Sequence, residues 1–366
     1  MADETQRQRT LPSWLLPTPA RRDEPAGPPL REFTLRLMRG EDLRREEAAA
    51  LLDALLDGTA TDAQLGAALV ALAVKGETVE ELAGLATAMR QRAVRISARH
   101  VRFIDTAGTG SSRAKTFNVS TAAAFVIAGA GLPVAKHGSR AATSRSGSAD
   151  VLTALGVNVA AAPEVSESCL NELGVCFMFA PLYHGATARV AGVRRELGVH
   201  TTFNLLGPLT NPAGAPRQVI GVWHEALVEP LAHTLLALGA ERAWVVHGLD
   251  GLDEVTLAAP TKVAEVADKT VRVFEVAPED FGLERAPLEE LRGGDAEANA
   301  RVIRSILSGE RRDAGRSLVV VNTAAALYVG GAAEDLREAA RLAERSIDTG
   351  AALDKLEQLA RASNGR

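Results

Sequence analysis

Cysteine is scarce in this chain of 366 residues, which contains only Cys169 and Cys176. Two cysteines cannot supply a disulfide framework for a chain of this length, so we expect both to be buried, small hydrophobic side chains in a protein of a reducing compartment, the cytoplasm. Long apolar runs are also missing: no run of about eighteen apolar residues free of charge appears, so no membrane span is expected. The first apolar run, Trp14-Leu15-Leu16, is short and followed by prolines, which argues against a signal peptide.

Excess positive charge is absent as well. The formal net charge is −5, which argues against a nucleic-acid-binding protein. The sequence contains no P-loop, no G-x-G-x-x-G motif, no recognisable Ser/His/Asp triad and no cysteine nucleophile. Its hydrophobic content of 46% is that of a globular protein with one large domain or two unequal domains.

Local patterns predict helices in the first third of the chain. Residues 1–32 are rich in Pro, Arg and Glu and lack periodicity, so we expect a mobile tail. Capping boxes at Thr61-x-x-Gln64 and Thr78-x-x-Glu81 then precede apolar residues at helical spacing. Both boxes predict the start of a helix.

Strand-like runs follow and alternate with helical sequence. That alternation predicts an α/β protein with a largely parallel sheet, whose strands would contain VRFIDT, LPVAKH, VCFMFA, VIGVW, AWVVH and LVVVN. Residues 262–276 contain two strand-like runs around Asp268-Lys269, which predict an antiparallel hairpin added to this sheet.

A glycine-rich segment, DTAGTGSSRAKTFNVST, has the composition of a phosphate-binding loop. Gly108 and Gly110 allow positive φ angles and let backbone N–H groups approach an anion closely. Asn118, Ser120 and Thr121 stand where the following Ala-rich helix would begin, and the positive end of its dipole points to the same place. Taken alone, such a turn is more often a structural connection.

A second segment, KHGSRAATSRSGSAD, begins at Lys136. It brings cations, glycines and several hydroxyl residues together within a short stretch, which suits the binding of several phosphates. A third segment, HGLDGLDEVT, places Asp250, Asp253 and Glu254 in a glycine-punctuated, solvent-facing loop after a strand. Hard oxygen ligands on a loop suit Mg²⁺, which takes only one or two carboxylates from a protein. Together the three segments predict a magnesium-diphosphate site.

These ordered blocks resemble the anthranilate phosphoribosyltransferase family. That family joins anthranilate to phosphoribosyl diphosphate (PRPP) in tryptophan biosynthesis and releases diphosphate. The resemblance runs from Phe33 to Leu359. Besides the three segments above, it includes KGETVEELAGLATAMR, APLYHGATARVAGVRRELG and FNLLGPLTNPA.

The resemblance implies an architecture of two domains. A small all-helical N-terminal domain would comprise residues 33–100 with a returning helical segment near 185–200. A larger α/β domain that binds PRPP would comprise 101–184 and 201–366, with a central, mostly parallel sheet and an antiparallel hairpin. Family members usually form homodimers through the helical domain, and neither nucleic acid nor membrane is an expected partner.

The resemblance also implies roles for individual residues. The expected PRPP-binding residues are Gly108, Thr109, Gly110, Ser111, Ser112, Thr116, Asn118, Ser120, Thr121, Lys136 and Ser148. Two Mg²⁺ ions would be held by Ser120, Asp253 and Glu254. The transition state would be stabilised by Lys136, Asp253 and Glu254, without a covalent catalyst. Anthranilate would contact Gly108, His137, Ser139, His184 and Arg194, with Arg194 pairing with its carboxylate.

Several positions depart from the family pattern. The family's GTGGD is GTGSS here, so Ser111 and Ser112 replace a glycine and an aspartate. Ser139 replaces the asparagine of KHGN, Gly185 replaces a proline after the YH motif, and His200 replaces an arginine. These changes bear on the acceptor more than on the chemistry.

Three alternatives remain open from the sequence. A paralogue could transfer phosphoribose to another aromatic acid. A pyrimidine nucleoside phosphorylase of the same fold would use phosphate, but the GLDE loop and the GPLTNP block belong to the transferase. A non-catalytic binding paralogue would not need Lys136, Asp253 and Glu254, all of which are present.

Overall fold

The structure is a computed structural model that describes residues 29–110, 116–141 and 146–365. Ser111 and Ser112 of the glycine-rich segment therefore lie outside the described residues, as does most of the expected N-terminal tail. The described chain divides into two compact units.

The elements of the described residues follow in chain order. The α-helices are α1 (Pro29–Met38), α2 (Arg45–Leu56), α3 (Asp62–Lys75), α4 (Val79–Arg92), α5 (Val119–Gly129), α6 (Ser148–Ala154), α7 (Pro163–Leu173), α8 (Ala180–Tyr183), α9 (Ala188–Leu197), α10 (Thr202–Leu209), α11 (Val228–Ala237), α12 (Ala296–Leu307), α13 (Ala314–Val329), α14 (Leu336–Asp348) and α15 (Ala351–Ser363). The strands are β1 (Ile104–Gly108), β2 (Val134–Gly138), β3 (Val175–Phe179), β4 (Arg217–Gly221), β5 (Arg242–Gly248), β6 (Thr261–Ala267) and β7 (Thr270–Val276).

The first unit is helical and contains the described residues up to Arg92 together with Ala186–Leu206. The capping box predicted at Thr61 is confirmed, since its hydroxyl accepts from the backbone N–H of Gln64 while the Gln64 side chain accepts from the N–H of Thr61. Helices α2 and α4 approach closely at Gly84, where an added Cβ would overlap a carbonyl of α2. Leucines of α2, α3 and α4 fill the core of this unit.

The boundaries of the units differ from those expected from the sequence. Helix α1 already begins at Pro29, inside the expected tail. Residues 93–100 belong to the second unit, because the backbone N–H groups of Ser97 and Arg99 donate to side chains of α7 at 2.8 and 2.7 Å. Thr202 belongs to the helical unit, and its hydroxyl donates to the carboxylate of Glu77.

The second unit contains Ala93–Gly185 and the chain from Gly207 onward, and it is built on a seven-stranded sheet. The strand order is β3-β2-β1-β4-β5-β6-β7, with β1 to β5 parallel and β6 and β7 antiparallel. The predicted hairpin is confirmed as β6 and β7, which turn through positive φ angles at Asp268 and Lys269. The chain order reverses between β1 and β4, the place where parallel sheets usually bind ligands at their carboxyl edge.

The prediction of a strand at LVVVN is wrong. Residues 318–322 lie inside α13, which is buried along most of its length and packs against α5 and α14. The Asp313 carboxylate caps this helix by accepting from the backbone N–H of Gly315 at 3.0 Å. A continuous apolar run carries no periodicity, so a fully buried helix cannot be told from a buried strand by that run alone.

No helix among the described residues is long and apolar enough to span a membrane. Cys169 and Cys176 are both buried and free, which confirms the expectation of two small core side chains.

Candidate active site

Glycines end four neighbouring strands at the carboxyl edge of the sheet: Gly108 ends β1, Gly138 β2, Gly221 β4 and Gly248 β5. An added Cβ at Gly221 would overlap the carbonyl of Asp253, and one at Gly138 would overlap the hydroxyl of the first residue of α6. Glycine is therefore required where the loops lie across the strand ends. The predicted metal loop and the second phosphate segment are seated on the sheet in this way.

Lys136 lies at the centre of this edge, on β2, and is buried. Its Nζ donates to the carbonyl of Thr106 at 2.5 Å and to the hydroxyl of Ser120 at 3.3 Å. Burial lowers the pKa of its ammonium group, against the opposing charges of Asp105 and Glu254. A cation held among oxygens in this way is prepared to neutralise an anion.

The carboxylates of the metal loop approach the same place. Asp253 Oδ2 lies 3.5 Å from the position of a Cβ added at Gly108. Burial, followed by the charge of Asp253, raises the pKa of Glu254 to about 8, whereas Lys136 and a backbone hydrogen bond from Ser120 lower it. Our expectation that both carboxylates face solvent is wrong for Glu254, whose Oε2 is buried without a hydrogen-bond partner among the described residues.

The third acidic side chain of this loop has a structural task. Asp250 accepts from the hydroxyl of Thr256 at 2.5 Å and from the backbone N–H of Leu252 at 3.1 Å. It therefore shapes the turn that presents Asp253 and Glu254.

The described parts of the glycine-rich segment lie beside Lys136. Thr109 is fixed to β4, because its backbone N–H and its hydroxyl both donate to the carbonyl of Gly221, at 2.9 and 3.2 Å. Gly110 follows with φ +66°. Helix α5 begins after Asn118, as predicted, and Asn118 itself is left-handed, with φ 64°. Thr116 forms an isolated antiparallel bridge with Arg292.

The second phosphate segment is ordered by the start of α6. Asp150 accepts from the backbone N–H groups of Gly147 and Ala141 at 3.0 and 2.9 Å and pairs with Arg140. The hydroxyl of Ser148, the first residue of α6, donates to the carbonyl of Ser139 at 3.3 Å. Arg140 is thus engaged by a protein carboxylate, whereas the Ser139 side chain is exposed.

Two histidines form a buried pair in the same unit. The rings of His137 and His184 meet edge to face, with their centroids 5.1 Å apart. Burial lowers the pKa of His137 to about 3 and that of His184 to about 4, so both rings are neutral near pH 7. His137 Nδ1 lies 3.2 Å from the carbonyl of Gly207, which can only accept, so Nδ1 carries the proton. His137 Nε2 is then an acceptor, buried without a partner among the described residues.

A buried polar layer beneath His137 escaped the sequence analysis. The fully buried carboxylate of Asp105 accepts from Asn211 Nδ2 at 2.8 Å and from the backbone N–H of His137 at 3.2 Å. Burial raises the pKa of Asp105 to about 6, although Lys136 and these hydrogen bonds oppose the shift. Gln218 donates to the carbonyl of Pro208 at 2.8 Å. The sequence signal that could have revealed this layer is a polar residue inside an apolar strand pattern, such as Asp105 within VRFIDT.

Arg194 lies on α9, in the helical unit. Its guanidinium stacks over the ring of Phe203 at 5.2 Å and donates to Asn204 Oδ1 at 3.5 Å. Burial lowers the pKa of Arg194. Among the described residues, no acidic side chain lies within ion-pair distance of Arg194.

Among the described residues, no group of three His, Cys, Asp or Glu side chains could hold a metal ion unaided. Asp253, Glu254 and the Ser120 hydroxyl nevertheless form a donor set of hard oxygens, and the buried Glu254 Oε2 needs a cation or a proton. This set fits Mg²⁺, which takes its remaining ligands from water and phosphate. The structure thus brings Gly108, Ser120, Lys136, Asp253 and Glu254 together.

A helical unit and an α/β unit, with a site at the carboxyl edge of the sheet, define a class of transferase. Family models of this class match the chain over most of its length. Residues 31–93 match the glycosyl transferase family, helical bundle domain, and residues 100–353 match the glycosyl transferase family, a/b domain. Within this class, the chain belongs to the anthranilate phosphoribosyltransferase family. It is a transferase, as the resemblance implied.

Several relatives support this assignment. The anthranilate phosphoribosyltransferase of Anaeromyxobacter dehalogenans (strain 2CP-C) is 55% identical over 328 residues, which cover 90% of this chain and 97% of the relative. That of Moorella thermoacetica is 50% identical over 324 residues, covering 88% and 95%. Their shared name does not favour the alternatives of a different acceptor or a non-catalytic paralogue.

Solved structures agree with the sequence relatives. The crystal structure of anthranilate phosphoribosyltransferase from Thermus thermophilus superposes with a TM-score of 0.86 at 42% identity, covering 91% of this chain and 99% of that one. The enzyme from Saccharomyces cerevisiae in complex with PRPP and Mg superposes with a TM-score of 0.83 at 28% identity, covering 92% and 98%. The expected fold class is confirmed.

Proposed function

We propose that this protein transfers the 5-phosphoribosyl group of PRPP to the amine of anthranilate and releases diphosphate, as a Mg²⁺-dependent step of tryptophan biosynthesis. The observation that carries this proposal is the buried Lys136, held beside Ser120 and Glu254 at the glycine-lined edge of the sheet. One fixed cation among oxygen ligands is the arrangement that a bound diphosphate needs. The names of the sequence relatives and the PRPP and Mg bound to the yeast enzyme support the same conclusion.

The donors to PRPP would come from the second unit. Gly108, Thr109 and Gly110 present the start of the glycine-rich loop, and α5 directs its positive end toward the same region. The remaining expected contacts are Ser111, Ser112, Thr116, Asn118, Ser120, Thr121, Lys136 and Ser148.

The reaction breaks the bond between ribose C1 and the diphosphate oxygen and forms a bond between C1 and the amine nitrogen, which then loses a proton. Positive charge grows on the ribose ring and negative charge on the departing diphosphate. Lys136 donates to that oxygen-rich leaving group from a fixed position, so little reorganisation is needed as the charge develops. Asp253, Glu254 and Ser120 would hold Mg²⁺, which supplies further neutralisation of the leaving group when it is bound. We propose two ions.

The acceptor would be recognised by shape and by one charge. His137 and His184 are neutral and offer aromatic edges, and Ser139 and Gly108 would complete the contact surface. His137 Nε2 is an unprotonated acceptor that can receive a hydrogen bond from the amine and orient its lone pair toward C1. Arg194 would pair with the carboxylate, because the described residues show no acidic partner for it.

We further propose that the protein acts in the cytoplasm as a homodimer formed through its helical domain. The family resemblance supports the dimer, and two buried free cysteines suit a reducing compartment. Sedimentation of the purified protein would measure its oligomeric state directly.

The decisive experiment follows the fluorescence of anthranilate in the presence of PRPP and Mg²⁺. We expect consumption that requires PRPP and stops when EDTA removes the metal. Aniline, which lacks the carboxylate, is the matched control and should be a far poorer acceptor. Inertness toward anthranilate together with turnover of another aromatic acid would contradict the proposed acceptor and leave the phosphoribosyl chemistry in place.

A further inference from the structure

A chain of three hydrogen bonds joins segments that are far apart in the sequence. Asn299, at the start of α12, donates through Nδ2 to Asn118 Oδ1 at 3.0 Å. Asn118 in turn donates through Nδ2 to the carbonyl of Ser146 at 3.1 Å. At the other end, Asn299 Oδ1 accepts from the backbone N–H of Gly294 at 2.7 Å. We name this chain the Asn299 relay.

The direction of the Asn299 relay is fixed by its two ends. The backbone N–H of Gly294 can only donate, and the carbonyl of Ser146 can only accept. Both amide side chains therefore have a single orientation, because turning either one would place two donors or two acceptors face to face. Asn299 is buried, so a lost hydrogen bond there would not be replaced easily by solvent.

The Asn299 relay contacts one described residue of each phosphate segment, Asn118 in the first and Ser146 in the second. Asn118 is the N-cap of α5, within the glycine-rich segment, and Ser146 lies two residues before the start of α6. Asn118 holds a left-handed backbone conformation that costs free energy for a residue with a side chain, and its two amide hydrogen bonds help to maintain it. One buried amide is thus hydrogen-bonded to the N-cap of α5, which in turn contacts the residue two positions before α6.

A backbone contact reinforces the same junction. Arg292 forms an antiparallel bridge with Thr116, and an added Cβ at Gly293 would overlap the Thr116 carbonyl. The loop before α12 therefore lies directly against the end of the glycine-rich segment. None of the loop's residues was expected at the site from the sequence.

We propose that Asn299 is a positioning residue for PRPP, acting through Asn118 to hold the two phosphate segments at the spacing that the ligand requires. The inference rests on the proposed function, since it takes these segments to be the PRPP site. Asn299 does not contact the reacting atoms. Its loss should weaken PRPP binding while leaving recognition of the acceptor intact.

The test uses Asn299→Asp in the full-length protein. The new carboxylate still accepts from the Gly294 N–H but cannot donate to Asn118. The substitution therefore removes only the hydrogen bond between residue 299 and Asn118. We expect the Kd for PRPP with Mg²⁺, measured by calorimetry, and the KM for PRPP to rise by about tenfold or more, as for one lost buried hydrogen bond. The KM for anthranilate should change by less than about twofold in the same variant.

Asn171→Ala is the matched control. Asn171 also bridges two backbone groups, accepting from Arg99 N–H at 2.7 Å and donating to the Ser97 carbonyl at 2.9 Å, but it lies in the last turn of α7, near the amino edge of the sheet. The Asn171→Ala substitution should lower the Tm without changing the Kd for PRPP. Gly293→Ala should raise that Kd without altering any relay side chain, and it replaces Asn299→Asp if the latter does not fold.

The outcomes separate the two proposals. Wild-type protein that binds PRPP but does not consume anthranilate would overturn the proposed acceptor and leave the role of Asn299 testable by calorimetry. Wild-type protein that fails to bind PRPP would overturn both. Unchanged PRPP binding in folded Asn299→Asp and Gly293→Ala, or an equal loss of binding in Asn171→Ala, would overturn the positioning role alone.

Discussion

At the carboxyl edge of the sheet, the two faces of the sheet use buried polar side chains in opposite ways. On the side of α5, Lys136 and Glu254 bring opposite charges together, and Glu254 Oε2 has no hydrogen-bond partner among the described residues. On the other side, Asp105 is bonded by Asn211, and Gln218 is bonded to the carbonyl of Pro208. Ile104 pairs with Val134, so Asp105 is level with residue 135 and not with Lys136. Because side chains alternate along a strand, Asp105 and Lys136 reach different faces.

The difference separates binding from anchoring. A buried polar group that lacks a protein partner costs free energy in the empty protein and regains it when a ligand supplies the partner. A group that is already satisfied contributes to stability and offers a ligand little. Substitutions of Lys136 and Glu254 should therefore affect catalysis first, and those of Asp105, Asn211 and Gln218 should affect folding first.

The largest effect is expected from Asp253→Asn combined with Glu254→Gln. Transfer should fall by more than about a thousandfold, because the departing diphosphate would lose its metal ligands. The Tm in EDTA should stay the same or rise, since burial disfavours the Glu254 carboxylate and raises its pKa to about 8. Initial rates and thermal unfolding of the same preparations measure both effects. Retention of most activity would refute the mechanism.

Asp105→Asn examines the anchoring side through the pH dependence of stability. The pKa of Asp105 rises from 3.8 to about 6 on folding, so its contribution to stability is present below the unfolded value and is lost as pH rises through the folded value. The free energy of unfolding of the wild type relative to Asp105→Asn should therefore be greater at pH 4 than at pH 7, by about 2 kcal/mol. Urea unfolding at both pH values gives this difference. A constant difference would mean that Asp105 titrates normally.

Arg194→Ala extends the comparison to the helical unit, where the Arg194 guanidinium contacts the ring of Phe203 and the side-chain amide of Asn204. The KM for anthranilate should rise by roughly ten- to a hundredfold, as for a lost charged hydrogen-bonding partner, while PRPP binding should be unchanged. The poor rate with aniline should be insensitive to the same substitution, because aniline has no carboxylate. Equal use of aniline and anthranilate by the wild type would remove Arg194 from its proposed role.

The smallest effect is expected in the glycine-rich segment itself. Ser111→Gly with Ser112→Asp restores the family pattern, and we expect the apparent constant for PRPP or Mg²⁺ to change by more than about threefold. These residues lie outside the described part of the chain, so this expectation comes from the sequence alone. Steady-state titration of PRPP and of Mg²⁺ would measure it, and identical constants would show that the loop tolerates both serines.

Much of the site could be predicted because its chemistry is local. Gly108, Lys136, Asp253 and Glu254 stand at strand ends within short, polar, glycine-containing segments, and parallel strands bring those ends to one edge. Capping residues marked α3 and α4 in the same direct way. The strand prediction at 318–322 failed because an apolar run without periodicity suits either a buried strand or a buried helix.

The sequence by itself determined the fold class, the parallel sheet with its hairpin and the chemical types of the phosphate-side residues, because these depend on spacing within a few residues. Only the tertiary structure decided that Asp105 would meet Asn211, 106 residues away, and that Asn299 would meet Asn118, 181 residues away. It also decided that Oε2 of Glu254 would be buried. Such pairings depend on which loops the strand order brings together, and the energy of a buried polar group depends on its partners rather than on its neighbours in the chain.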